Sequence, residues 1–282
     1  MEALQSHDDA MLESGRQSLD PSGFAGRWIN TNQHGRGISE IAIRIDRGRV
    51  KLVAASTAAA GLCAWGETEA DVLCGSDARA RSAMAFAARC DFGAFQTDLR
   101  GNLNLGLLVV ASFNRVGPHG HDYFAREFYR RGDPAASPMT VPWTAAAGRV
   151  GGDDPIEADP AAPDLPFVGS EMFGEWVNTN PVSNGITRLR IDDDRNGAAV
   201  VRAWGPPLPP AIEGGPIPAA LFASSSGSRL AKAFSARYEA NHVGGMLQAY
   251  INQGVLVVIA FNEFNDGSGQ SNYFRREFYY RT

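Results

Sequence analysis

The most informative chemistry in this chain lies in two nine-residue segments. They are Tyr123-Phe124-Ala125-Arg126-Glu127-Phe128-Tyr129-Arg130-Arg131 and Tyr273-Phe274-Arg275-Arg276-Glu277-Phe278-Tyr279-Tyr280-Arg281. Read as strands, their side chains alternate between two faces. Tyr123, Glu127 and Tyr129 therefore share one face, and Phe124, Arg126 and Phe128 share the other. If the Tyr/Glu/Tyr face points into a cavity, a carboxylate stands between two phenols. Glu127, Tyr129, Glu277 and Tyr279 are then candidate catalytic acid–base groups. If the Phe/Arg/Phe face points inward, the carboxylates pair with neighbouring arginines and the phenols pack outside. The second orientation is preferred, for a reason carried by the first strand (below).

Asn30 and Asn178 follow Trp28 and Trp176 by two residues and share the tryptophan's face of a strand. A buried Asn must find hydrogen-bond partners, so each is either a backbone clamp or a ligand contact. Trp65, Tyr123, Trp204 and Tyr273 complete the candidate ligand-binding set. No dinucleotide, phosphate-loop or His-Glu-x-x-His motif occurs. His119 and His121 flank Gly120, and read as solvated loop residues rather than a metal pair. Only two lysines, Lys51 and Lys232, offer Schiff-base chemistry. No metal and no cofactor are expected.

The elements that must position these residues occur twice. Gly26-Arg27-Trp28-Ile29-Asn30-Thr31-Asn32 reappears as Gly174-Glu175-Trp176-Val177-Asn178-Thr179-Asn180, an offset of 148. The offset holds for Gly37-Ile38 and Gly185-Ile186, for Phe86 and Phe234, and for Phe113-Asn114 and Phe261-Asn262. It becomes 150 for the two Tyr-Phe-x-Arg-Glu-Phe-Tyr segments. Such self-similarity reads as an internal duplication. The organisation expected is a flexible tail (1–22), a first unit (23–131), a Pro/Ala/Gly/Asp-rich linker (132–168) and a second unit (169–282).

Within the first unit, turn signals separate eight candidate strands at 24–30, 38–46, 50–56, 69–73, 83–91, 94–101, 105–114 and 123–130. The expected fold is all-β: two tandem antiparallel eight-stranded up-and-down barrels. A β-sandwich is the competing architecture. The Ala/Gly/Ser-rich 55–82 stretch and its counterpart at 203–230 read as long irregular connections over the barrel mouths. Their divergence suggests that the two cavities are not equivalent.

The Gly-x-Trp of the first strand, with an arginine near the last, resembles the calycin-type barrels (lipocalins, fatty-acid-binding proteins and avidins). In them the arginine packs across the indole and closes one end of the barrel. The resemblance implies closure by Trp28 with Arg126 and by Trp176 with Arg276, Arg130 and Arg281 being the other candidates. That pairing is why the Phe/Arg/Phe face is preferred inward. Gly-x-Trp-x-Asn also looks like the avidin opening, but a matched set of pocket tryptophans is lacking, so no biotin site is implied.

Charge narrows the partners. Residues 1–22 hold five acids against one arginine, a net −4; 131–168 hold six against two, also −4. The total of −5 leaves +3 on the rest, far short of the basic surface a nucleic-acid binder needs. Three cysteines, all in the first unit, read as free thiols. The acidic N-terminus is unlike a signal peptide, and no apolar run spans a membrane, so a cytoplasmic location is expected. The partner expected is a small hydrophobic molecule, with the barrels as an intramolecular pseudo-dimer that could associate further. Three functions follow: a cofactor-independent cyclase or isomerase, a non-catalytic carrier or sequestering protein, and an interaction scaffold with a filled core.

Overall fold

The computed structural model describes residues 19–32, 37–58, 61–75, 81–93, 95–117, 120–133, 167–168, 171–194, 198–206, 213–240, 243–264 and 270–282. Alternating apolar residues separated by tight turns give an all-β chain. The first eight strands are β1 (Gly26–Asn30), β2 (Ile38–Asp46), β3 (Arg49–Ala58), β4 (Gly61–Leu73), β5 (Ala85–Asp91), β6 (Gln96–Asn104), β7 (Leu107–Arg115) and β8 (Tyr123–Arg131). Each pairs antiparallel with the next, and β8 returns to β1 with Trp28 opposite Arg131 and Asn30 opposite Tyr129. This is a closed eight-stranded antiparallel barrel.

Eight more strands follow: β9 (Gly174–Asn178), β10 (Arg188–Asp193), β11 (Ala199–Trp204), β12 (Ile217–Ala223), β13 (Ala231–Ala240), β14 (Val243–Asn252), β15 (Val255–Phe264) and β16 (Tyr273–Arg281). They pair in the order β12-β11-β10-β9-β16-β15-β14-β13, and β12 also pairs with β13. Among the described residues no helix is long and apolar enough to cross a membrane.

Two differences from the sequence reading have simple causes. Most of the 55–82 stretch is not an irregular connection: β3 runs to Ala58 and β4 from Gly61 to Leu73, paired as a hairpin with Ala58 opposite Gly61. Small residues masked the strand because Ala and Gly carry no apolar period. Leu105 does not begin a strand either. Leu105 and Gly106 both have positive φ, at 49° and 80°, as do Gln253 and Gly254 at 50° and 80°. These are two-residue turns whose twist matches a hairpin, and glycine takes the second position without strain.

Buried side chains fill the barrel. Phe24, Trp28, Ile41, Leu52, Phe86, Leu99 and Tyr129 are all at most 1% exposed within one cluster. Trp176, Leu189, Phe234, Leu247 and Tyr279 form the corresponding cluster of the C-terminal half. Residues 1–18 and 134–166, most of the expected tail and linker and including Trp143, lie outside the described residues. Leu19 packs on the first cluster and Asp20 bridges Ser82, so the last part of the expected tail is tied to the barrel. Phe167 and Val168 dock in the same way on the second half, Val168 bridging Leu230.

The halves meet through a third apolar cluster that includes Leu73, Ala111, Phe113, Phe222, Tyr250, Val257 and Phe261. Two parallel bridges flank it, Ala223 with Tyr123 and Cys74 with Tyr273. Each lies at the start of one half's last strand, so the contact is reciprocal.

Candidate functional site

The site is built on the last strand of each half. Tyr129 is fully buried beside Trp28, so the face bearing Tyr123, Glu127 and Tyr129 points inward, opposite to the preferred expectation. The expectation failed because it treated an inward Tyr/Glu/Tyr face and a Trp–Arg closure as exclusive. They are compatible, because the closing arginine is Arg131, on the same face. Its guanidinium lies 4.6 Å from the Trp28 ring centroid and donates to the Ala25 and Gly23 carbonyls. Arg126 points out instead, over Phe128 and over Tyr250 of the other half. Arg276 likewise lies over Phe278, and Arg281, not Arg276, stands opposite Trp176 and donates to the Phe173 carbonyl.

Both asparagines are backbone clamps. Asn30 Nδ2 donates to the Ile38 carbonyl and Asn178 Nδ2 to the Ile186 carbonyl, each at 2.8 Å. Their Oδ1 atoms accept the N–H two residues on, from Asn32 and Asn180, which closes an Asx turn. The same carbonyls take the phenols: Tyr129 to Ile38 at 2.9 Å and Tyr279 to Ile186 at 2.6 Å. Burial first, and then the adjacent glutamate's charge, push both phenols up from the ordinary tyrosine range. They are donors, not bases, at neutral pH. Gly37 and Gly185, which recur at the repeat offset, gain a purpose here. A methyl group at Gly37 would stand 2.9 Å from Glu127 Oε2, and one at Gly185 would overlap the Glu277 carboxylate. Glycine lets the turn close over each glutamate.

The two carboxylates are held differently. Glu127 Oε2 is 2.9 Å from the Tyr129 hydroxyl. Glu277 is 3.4 Å from the Tyr279 hydroxyl and is hydrogen-bonded by Ser183. Glu277 also lines two spaces. Outside is an open cleft of about 670 Å³ between the 178–184 turn and β16, bounded across the half-to-half contact by Gly75 and Met84. Inside is a cavity of about 10 Å³ lined by Ile186, Tyr238, Ala260, Asn262, Tyr273 and Arg275, about enough for one water. Arg275 lines both spaces, and its buried Nε has no hydrogen-bond partner among the described residues.

Of the other expected ligand contacts, only Tyr273 joins this group, as a wall of the inner cavity. Tyr123 is half-buried on the matching inward face of β8. Trp65 is a core residue: its indole N–H donates to Ser56 Oγ at 3.2 Å and its ring meets Phe92 edge-on. Trp204 faces outward, under the guanidinium of Arg188 at 4.0 Å. His119 lies outside the described residues. His121 is not solvated but buried, its ring 5.0 Å from that of Phe167. Among the described residues no group of three His, Cys, Asp or Glu side chains is placed to hold a metal ion.

Residues the sequence reading missed include Ser183, Arg275, Tyr238 and Asn262. The Tyr238 hydroxyl donates to Asn262 Oδ1 at 2.7 Å. At the matching place of the first half, Thr97 donates to Asn114 Oδ1 at 2.8 Å. The repeat offset pairs Cys90 and Thr97 with Tyr238 and Gly245, and a methyl group at Gly245 would overlap the Tyr238 ring. A comparison of the halves across this pair was the available signal.

No family model matches the chain, and no curated protein matches it. Among solved structures the chain is similar to the crystal structure of a protein of unknown function from the DUF3598 family of Nostoc punctiforme. The similarity covers 94% of this chain and 99% of that one, at 10% identity and a TM-score of 0.31.

Proposed function

We propose that the protein binds a small molecule in the cleft beside Glu277 and acts on it by cofactor-independent proton transfer, as in an isomerisation or cyclisation. The observation that carries this is the placement of Glu277 between an open cleft and a one-water cavity, held by Ser183 rather than bonded closely to its tyrosine. A carboxylate so placed can accept a proton from a bound substrate while the Tyr279 phenol stays protonated. The filled clusters of both halves favour a ligand at the mouth over one at the centre, which weakens the carrier reading. They also favour a polar molecule with an apolar part over a wholly apolar one, because Asn178, Ser183, Arg275 and Glu277 share the lining with Val182 and Phe274.

In this reading the second eight strands form a second closed barrel of calycin type, produced by duplication of the first. The β12–β13 and β16–β9 pairings and the matched Trp, Asn, Tyr and Arg positions support it. The halves then act as a pseudo-dimer, and the N-terminal barrel is a scaffold that supplies Gly75 and Met84 to the cleft.

A ligand-observed NMR screen of small carbonyl compounds in D2O tests the function. Bound compounds are expected to exchange their α-hydrogens faster with the native chain than with Glu277→Gln. A cleft that captures no compound, or exchange equal in both proteins, contradicts the proposal.

A further inference from the structure

We infer that the ligand of this cleft carries a carboxylate and that Arg275 anchors it, an assignment that rests on the cleft being a small-molecule site. Arg275 stands opposite the small Ala260 on β15 and lines both the cleft and the inner cavity. Its Nε is buried and has no hydrogen-bond partner among the described residues, a costly state for a charged donor that an arriving acceptor would relieve. The cleft lining holds two arginines, Arg275 and Arg276, against the single carboxylate of Glu277, so its charge favours an anion. Arg276 is occupied over the Phe278 ring, which leaves Arg275 as the fork.

Burial pushes the Tyr273 phenol up, and the Arg275 charge is the largest influence opposing it. The guanidinium is therefore close enough to act on groups in the inner wall. A planar guanidinium matches a carboxylate with two parallel hydrogen bonds. Glu277 lies two residues on along the same face of β16. It would meet the atoms next to the bound carboxylate, where hydrogens are most readily removed as protons if a carbonyl is adjacent. Val182, Phe274 and Met84 would cover the carbon skeleton. The first half cannot do this: Ala125, opposite Ser112, holds the matching position on β8.

The test titrates benzoate and benzamide, alike in shape and different in charge, into the full chain at neutral pH, following amide chemical shifts. Benzoate is expected to move the amides of 180–186 and 273–279 and to bind about tenfold more tightly than benzamide, roughly 1.4 kcal/mol. Arg275→Met, which keeps the apolar stem, is expected to erase the preference. Glu277→Gln is expected to strengthen benzoate binding by removing a like charge. If Arg275→Met does not fold, Arg275→Lys, which keeps the charge without the fork, is expected to weaken benzoate severalfold. Equal binding of both probes at the cleft overturns the carboxylate assignment and leaves the cleft reading intact. So does a preference that survives Arg275→Met and disappears in Arg276→Met. Failure of benzoate to bind a cleft that captures neutral carbonyl compounds also overturns it, whereas a cleft that captures nothing defeats the broader proposal.

Discussion

The last strands of the two halves, β8 and β16, carry the same frame and different contents. In both, a buried tryptophan donates its indole N–H to a carbonyl four residues back, Phe24 or Met172. In both, an asparagine and a tyrosine converge on one isoleucine carbonyl. The contents then diverge in linked pairs: Ala125 faces Ser112 where Arg275 faces Ala260, and Cys90 with Thr97 stand where Tyr238 and Gly245 do. Positions that stay the same satisfy buried backbone groups and close the ends. Those that change together re-shape the space beside Glu277, where the proposed function is placed.

The largest expected effect tests the shared frame. Trp28→Ala and Trp176→Ala should each destabilise by about 3–5 kcal/mol in denaturant titrations, with similar losses. A tryptophan whose loss costs under 1 kcal/mol would break the equivalence. Next, Gly245→Thr should cost about 1–3 kcal/mol through overlap with Tyr238, and adding Tyr238→Cys should recover much of that loss. Additive costs in the double-mutant cycle would remove the linked exchange. Smaller again, Tyr129→Phe should cost about 1 kcal/mol and more than Tyr279→Phe, because only Tyr129 stands close to its glutamate. Equal losses would mean that the two carboxylates are held alike.

The smallest effect is a pH dependence belonging to the first half. Burial is the largest single influence on the Asp98 carboxyl and pushes it up, but hydrogen bonds from Arg89 and Arg115 outweigh it and hold the group below the usual aspartate range. A depressed folded pKa contributes stability that is present above about pH 4 and lost as pH falls through the lower folded value. Met246 takes the matching position in the second half, opposite Phe261 as Asp98 is opposite Phe113. Asp98→Asn should therefore flatten the acid limb of the stability curve, while Met246→Leu leaves it unchanged.

Much of this frame was legible in the sequence. Most of the strands and their order follow from alternation and from the repeat, as does the shared face of Trp28 and Asn30. The choice between clamp and ligand contact for Asn30 stayed open until its bond to the Ile38 carbonyl was seen, and the Tyr/Glu/Tyr face was expected on the wrong side. What was not legible depended on register. One residue of alternation places Arg131 rather than Arg126 on the Trp28 side, and no local signal distinguishes them in a segment with three arginines. Ser183 and Arg275 became visible only once the 178–184 turn was seen folded against β16. Alanine-rich β3 and β4 hid Trp65 in the core, because side chains too small to show a period cannot announce a strand.

The most direct test of the central claim is a crystallographic soak of the full chain with carbonyl and carboxylate fragments, comparing the Glu277 cleft with the matching position at Glu127. The account predicts density in the C-terminal cleft within hydrogen-bond reach of Arg275 and Glu277, and none beside Glu127. Equal occupancy of both positions, or fragments held only elsewhere on the molecule, would contradict it.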